Sequence, residues 1–261
     1  MKTISLFSTT CSLSFLFSLF LGAPWTAVTF AEDRTPQGVE QTTTDDVRQT
    51  FGRLEGYLKN NALQFTTSYD AQNVSLGTSR GSARFFIERP NLLRVEFSGS
   101  GFDYLMTSDG KTLTIYDQIR KKYAQRPATE TPLAAMNLFT GLAALQARVL
   151  QFLGVVTDIA SGDSDLQVKK AGAERVGGLN CVRYDIRYTS GEDTDQWAAW
   201  LRADGEPLPC KSFVRSPDEG SQQTNLYNWE DKISRSEKFN FAPPSGSKKV
   251  DISDLDLRPL Q

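Results

Sequence analysis

The chain has 261 residues, with 29 basic and 31 acidic side chains, a formal net charge of -2, and no histidine. A near-neutral balance without a concentrated basic run points away from nucleic acid as a partner. The missing histidine removes the commonest general base and a frequent metal ligand, and with it most hydrolase triads.

Lys2 is the only charged residue before Glu32, Ile4 to Leu21 form an apolar segment diluted by serines and threonines, and Thr29-Phe30-Ala31 provides a small-x-small exit. This reads as a signal peptide cleaved after Ala31, giving an exported chain. An uncleaved anchor is the alternative, because the apolar segment approaches the roughly 18 residues that begin to span a bilayer. Residues 32–43 lack apolar periodicity and are expected to be a loose leader.

From Thr44 the period becomes helical. Thr44 can cap, Asp45 and Asp46 suit the first turn, and Val47, Phe51, Leu54 and Leu58 fall on one face of a helix ending near Asn60-Asn61. The period then becomes two: Leu63, Phe65, Thr67 and Tyr69 alternate with polar neighbours. Phe85, Ile87 and Arg89 share one side of the next strand, Leu93, Val95 and Phe97 one side of another, and Tyr104 and Met106 one side of a fourth. Asp109-Gly110 suits a two-residue hairpin turn, which sets Ser108 opposite Lys111, Met106 opposite Leu113 and Tyr104 opposite Ile115. Lys121 to Gln125 adds another strand.

Thr131 to Gly154 interrupts the strands. Thr131 caps, Pro132 suits the first helical position, and Leu133, Met136, Leu142, Leu145, Val149 and Phe152 recur at helical spacing. No charge occurs from Thr131 to Ala147, so the segment is expected to be buried or to cover an apolar opening, with Gly141 as a possible break. Strands return at Leu166–Ala171, Leu179–Tyr188, Gln196–Leu201, Lys211–Arg215, Thr224–Trp229 and Lys238–Phe241. The expected fold is mainly β (α+β): one domain over residues 44–252 of about eleven antiparallel strands with a helical lid at 131–154, then a tail at 253–261. A curved antiparallel sheet of this kind has an interior to be filled by side chains or by a ligand.

Two cysteines, Cys181 and Cys210, follow the signal segment, and export favours a bridge. Strands flanking a third strand lie about 10 Å apart, beyond the ~7 Å reach of a disulfide, so the pairing stays open. Gly77-Thr78-Ser79-Arg80-Gly81 matches a nucleophile elbow in letters alone, since it lacks the strand-to-helix context and the histidine; a polar hairpin loop is expected there. Asp163-Ser164-Asp165 and Asp251, Asp254 and Asp256 lack the spacing of a calcium loop, and no metal or other cofactor is expected.

The blocks Ile87 to Leu93, Leu105 to Asp117 and Lys238 to Gly246 together resemble the LolA-type periplasmic carriers of outer-membrane lipoproteins. That resemblance implies an unclosed antiparallel β-barrel whose concave face is capped by helices and receives acyl chains, in a periplasmic protein. Cys181 after Gly178-Leu179-Asn180, Trp197-x-x-Trp200-Leu201, Gly205-x-Pro207-Leu208-Pro209-x-Lys211 and Asn228-Trp229 are similar to a branch of predicted periplasmic proteins of that fold with no established function. The carriers' lid-bonding arginine matches Arg89, which Pro90 holds extended and whose donors suit the carbonyl ends of helices. Val95 stands where the carriers have a large aromatic.

The site expected is thus a cavity lined by Phe65, Phe85, Ile87, Leu93, Val95, Phe97, Tyr104, Met106, Leu113 and Ile115. Val47, Phe51, Leu133, Met136, Leu142 and Leu145 form its lid and Arg89 its latch. The function expected is a non-enzymatic carrier of lipid or lipid-modified protein, monomeric and in transient contact with membrane or envelope proteins. A sensor or scaffold recognising a protein partner is the alternative, and an enzyme with carboxylates assembled in space ranks last.

Overall fold

The computed structural model describes residues 44–74, 77–136, 142–162, 166–190, 193–217, 220–230 and 239–255. The expected signal segment and leader, Asp163 to Asp165, Lys238 and residues 256–261 lie outside them, as does the break expected at Gly141.

Helix α1 (Thr44–Asn60) buries Val47, Phe51, Leu54 and Leu58, the face that its sequence period marks. Six strands follow: β1 (Leu63–Asn73), β2 (Gly77–Glu88), β3 (Leu92–Gly99), β4 (Phe102–Asp109), β5 (Thr112–Asp117) and β6 (Lys122–Pro127). After helices α2 (Pro132–Met136) and α3 (Leu142–Ser161) come β7 (Leu166–Val176), β8 (Leu179–Ser190), β9 (Asp193–Arg202), β10 (Pro209–Ser216), β11 (Ser221–Trp229) and the two-residue β12 (Lys248–Lys249). All twelve form one sheet in the order β12-β6-β5-β4-β3-β2-β1-β11-β10-β9-β8-β7. β7 and β12 do not pair, so the barrel is an open half-barrel.

Several local expectations are corrected. Residues Gly77 to Gly81 are not a loop but the first part of β2, paired with β1 from Asn73↔Gly77 onward. The β4–β5 hairpin pairs Met106 with Ile115, Ser108 with Leu113 and Tyr104 with Asp117, two residues from the expected register. Asp109 causes the shift. Its carboxylate accepts the N–H groups of Lys111 (2.8 Å) and Thr112 (2.7 Å), while Gly110 takes φ +87°. The turn centres therefore on Gly110-Lys111, where only glycine adopts that φ cheaply, and the same hydrogen bonds hold the Asp109 carboxyl below its ordinary pKa. Because the shift is two residues, each side chain keeps its face.

The strand expected at Lys238–Phe241 does not extend over Phe239 to Phe241. This segment instead crosses the face opposite the helices. Thr107 donates its hydroxyl to the Phe239 carbonyl, and the Phe241 ring lies 5.6 Å from Tyr116 and 5.4 Å from Tyr123. The last strand is β12, parallel to β6, with Val250 donating its N–H to the Tyr123 carbonyl at 2.9 Å.

Cys181 on β8 and Cys210 on β10 are bonded, with Cα atoms 6.8 Å apart. β9 lies between them, yet Pro209 pairs with Leu201 and Lys211 with Trp200, leaving Cys210 as the extra residue of a bulge. The bulge brings the two strands within disulfide reach.

Thr131 caps α2, accepting the Ala134 N–H at 3.1 Å. The helical segment extends further than expected: α3 runs to Ser161, not Gly154, because Val156 and Ile159 prolong the buried stripe of Val149 and Phe152. Among the described residues no helix is long and apolar enough to cross a membrane.

Candidate functional site

Alternation along β1 to β5 places all ten expected cavity residues on the helix-covered face, each at most 6% exposed. They form one cluster with Val47, Phe51, Leu54 and Leu58 of α1 and with Val149, Phe152, Val156 and Ile159 of α3. The side chains of Leu133, Met136, Leu142 and Leu145 lie outside what the structure describes.

An aromatic ladder crosses this face. Phe65 stacks on Phe85 at 4.7 Å and meets Trp229 at 4.6 Å, Phe85 meets Phe97 edge-on, and Phe152 bridges Tyr227 (6.4 Å) and Trp197 (6.3 Å). Phe51 meets Tyr184 edge-on at 5.3 Å. Trp197, Tyr184, Tyr227 and Trp229 are site residues that sequence reasoning missed. The alternation of Trp197, Ala199 and Leu201 was their signal.

The face is apolar at one end and polar at the other. Toward the β10–β11 turn, Asn225 donates to the Ser212 hydroxyl (3.1 Å), Gln223 donates to Asn225 (2.6 Å), and Arg148 of α3 approaches Asp195 at 3.8 Å. Ser212 also shares a hydrogen bond with the Tyr227 hydroxyl (2.9 Å), whose pKa burial pushes up against the opposing effect of that bond.

At the apolar end, around the β2–β3 turn, a cavity of about 190 Å³ opens between Leu58 and Lys59 of α1, Leu153 and Thr157 of α3, and Ile87 and Arg89. Of the ten expected residues, Ile87 borders it; the other nine are placed in the packed cluster. Arg89 donates from Nη2 to the Leu58 carbonyl at 3.2 Å, satisfying an acceptor in the last turn of α1. Asn91 donates to the carbonyls of Gly110 (3.2 Å) and Thr129 (3.1 Å), tying the same turn to the β4–β5 hairpin and to the approach to α2. Leu58 was read as part of the apolar face of α1 and Asn91 as part of the Ile87 to Leu93 block, but their place at this cavity, like that of Thr157, had no sequence signal, since they converge only in space.

Among the described residues no group of three cysteine, aspartate or glutamate side chains is placed to hold a metal. What this face can do chemically is bury hydrocarbon, at about 0.8 kcal/mol per methylene before association costs.

The model of a family described as "Predicted periplasmic protein (DUF2092)" matches residues 48–253. The chain belongs to this family. The match spans Cys181, Trp197, Trp200 and Trp229, on which the resemblance to a predicted periplasmic branch was drawn. Similar solved structures include LprF from Mycobacterium bovis, 8% identical with TM-score 0.49, covering 76% of this chain and 97% of that one. The lipoprotein LppX from Mycobacterium tuberculosis is 10% identical with TM-score 0.42, covering 73% and 96%. A LolA superfamily protein from Nitrosomonas europaea is 9% identical with TM-score 0.38, covering 75% and 97%. No curated protein matches the chain.

Proposed function

We propose that the protein is a periplasmic, non-enzymatic binding protein or carrier for lipid or lipid-modified protein, holding acyl chains between the half-barrel and helices α1 and α3. The observation that carries this reading is the cavity at Arg89, where the apolar face, both helices and the latch residue meet. Its volume of about 190 Å³ is below the roughly 300 Å³ of ordinary ligand pockets. A long chain therefore enters by lifting the helices from the aromatic ladder. The apolar surface the ladder loses from the helices is regained from the chain, so the exchange is close to neutral and can run both ways.

Arg89 opposes that exchange by bonding α1 in the covered state. Arg89→Leu removes a long, half-buried hydrogen bond (3.2 Å) worth roughly 1 kcal/mol, so the variant is expected to hold a fluorescent fatty acid such as cis-parinaric acid about fivefold more tightly. Its stability in urea should fall by no more than about 1 kcal/mol, leaving the protein folded. Equal affinity in the two proteins would sink the latch. Native mass spectrometry of protein purified from an exporting host tests the cargo class: co-purifying lipid supports the carrier, and a stoichiometric protein partner supports a scaffold instead.

A further inference from the structure

The sheet face turned away from the helices carries a pattern that lipid burial does not use. Register aligns Gln167 of β7, Arg187 of β8, Gln196 of β9, Arg215 of β10, Gln222 of β11 and Gln72 of β1 in one row across six strands. At 4.7–4.9 Å between neighbouring strands the row spans roughly 24 Å. Two open grooves lie along it. One of about 480 Å³ includes Gln167, Arg187, Gln196 and Phe213, and one of about 500 Å³ includes Arg215, Gln222 and Gln72.

The row is cationic inside a chain whose net charge is -2. Arg187 and Arg215 are exposed and make no ion pair and no side-chain hydrogen bond among the described residues. The acids two residues along on the same face are already engaged: Asp185 accepts from Arg183 at 2.7 Å, and Asp70 from Arg80 at 2.7 Å. Among the described residues the row thus presents two guanidinium groups without an ion-pair partner, about 10 Å apart, separated and flanked by carboxamides.

We propose that this row binds an acidic polysaccharide laid across the strands. Guanidinium forks take carboxylates in bidentate fashion; Gln222 donates to Gln72 at 2.8 Å, and every carboxamide of the row keeps a further N–H and a further oxygen lone pair for sugar hydroxyls. A flat bilayer meets the outside of a half-barrel along a line and gains most from inserted apolar side chains; the row itself has none, and the exposed Val74, beside the second groove, and Leu226 are two isolated ones off it. An acidic peptide fits less well, because a row perpendicular to the strands offers no backbone edge for strand addition.

The test uses the full exported chain with four probes: polygalacturonate, dextran, poly-glutamate and phosphatidylglycerol vesicles, followed by calorimetry. Polygalacturonate is expected to bind, more weakly as salt is added, and dextran is not. Arg187→Gln and Arg215→Gln should each weaken binding about tenfold, while Lys111→Gln, an equal charge change on the β4–β5 turn, should leave it unaltered. The proposal is overturned by failure of polygalacturonate to bind, by equal binding of dextran, by preference for poly-glutamate or vesicles, or by an equal loss in Lys111→Gln. Both arginines are exposed, and circular dichroism confirms that the variants fold.

Discussion

The two faces of β8 to β10 are buried by different means. On one, Ile186, Trp197, Ala199, Leu201 and Val214 are covered by helices and belong to the main core. On the other, Cys181, Ala198, Trp200 and Cys210 form a small second core that no helix covers. There the Cys181–Cys210 bond crosses β9, and Trp200 lies under the Lys211 ammonium (4.2 Å) and the Arg183 guanidinium (5.1 Å) and donates its indole N–H to Glu174. The floor of the trough is fixed by a covalent bond, whereas its roof is held by apolar contact and a few polar ties: Arg89 to the Leu58 carbonyl, Arg53 of α1 to the Gly205 carbonyl (2.8 Å), Lys170 to Asp46 of α1 (3.2 Å) and Arg148 of α3 to Asp195 (3.8 Å). A floor that keeps its shape while the roof moves is what a lidded binding protein requires.

The largest expected effect is on the roof. Phe152 is fully buried between Trp197 and Tyr227, so Phe152→Ala should cost about 3–5 kcal/mol of stability by urea denaturation. Hydrogen exchange should speed within α3 while the amides of β8 to β10 stay protected. Equal loss of protection in both would erase the distinction between roof and floor. Next in size is the floor. Removing the disulfide with paired Cys181→Ala and Cys210→Ala releases a constraint on a 29-residue separation, worth about 3.5 kcal/mol in the chain-entropy account. Here protection should fall in β8 to β10, and fatty-acid affinity measured under folding conditions should hold. A loss of affinity matching the loss of stability would mean that roof and floor are one unit.

The same division explains what could be read from the sequence. α1 was legible because one stripe at helical period faces one surface. β3, β4 and β5 were legible because alternation survives a register error of two, but the register itself was not, since it depends on which N–H groups the Asp109 carboxylate accepts. The second half of α3 was missed because Gly154 and Asp158 interrupt its polarity, although Val156 and Ile159 continue the stripe. Gly77 to Gly81 read as a loop because β2 begins with exposed polar residues that β1 alone does not bury. The disulfide stayed open because a one-residue bulge has no local signature in Pro209-Cys210-Lys211. Of the cavity, Ile87 and Arg89 were visible as site residues, and Leu58, Thr131 and Pro132 as parts of the helices that border it. The polar end was not, because Arg148, Asp195, Ser212 and Asn225 come from four different elements.

The smallest expected effect asks how the roof opens. α1 carries Gly52 and Gly56 in its interior, and a methyl group at either would meet nothing within 4 Å. Packing therefore does not require glycine there, and each costs the helix about 1 kcal/mol relative to alanine. Gly52→Ala and Gly56→Ala should each raise stability by about that amount in urea. A 17-residue helix with two interior glycines is too weak to persist once detached from the sheet, since isolated helices of about this length are marginal even when rich in alanine. α1 is thus expected to unwind transiently as it lifts, and each substitution should slow cis-parinaric acid association about fivefold. If the urea midpoint rises while association does not slow, α1 swings away as an intact helix, and its polar ties at Arg89, Arg53 and Asp46 rather than helix stability set the threshold for opening.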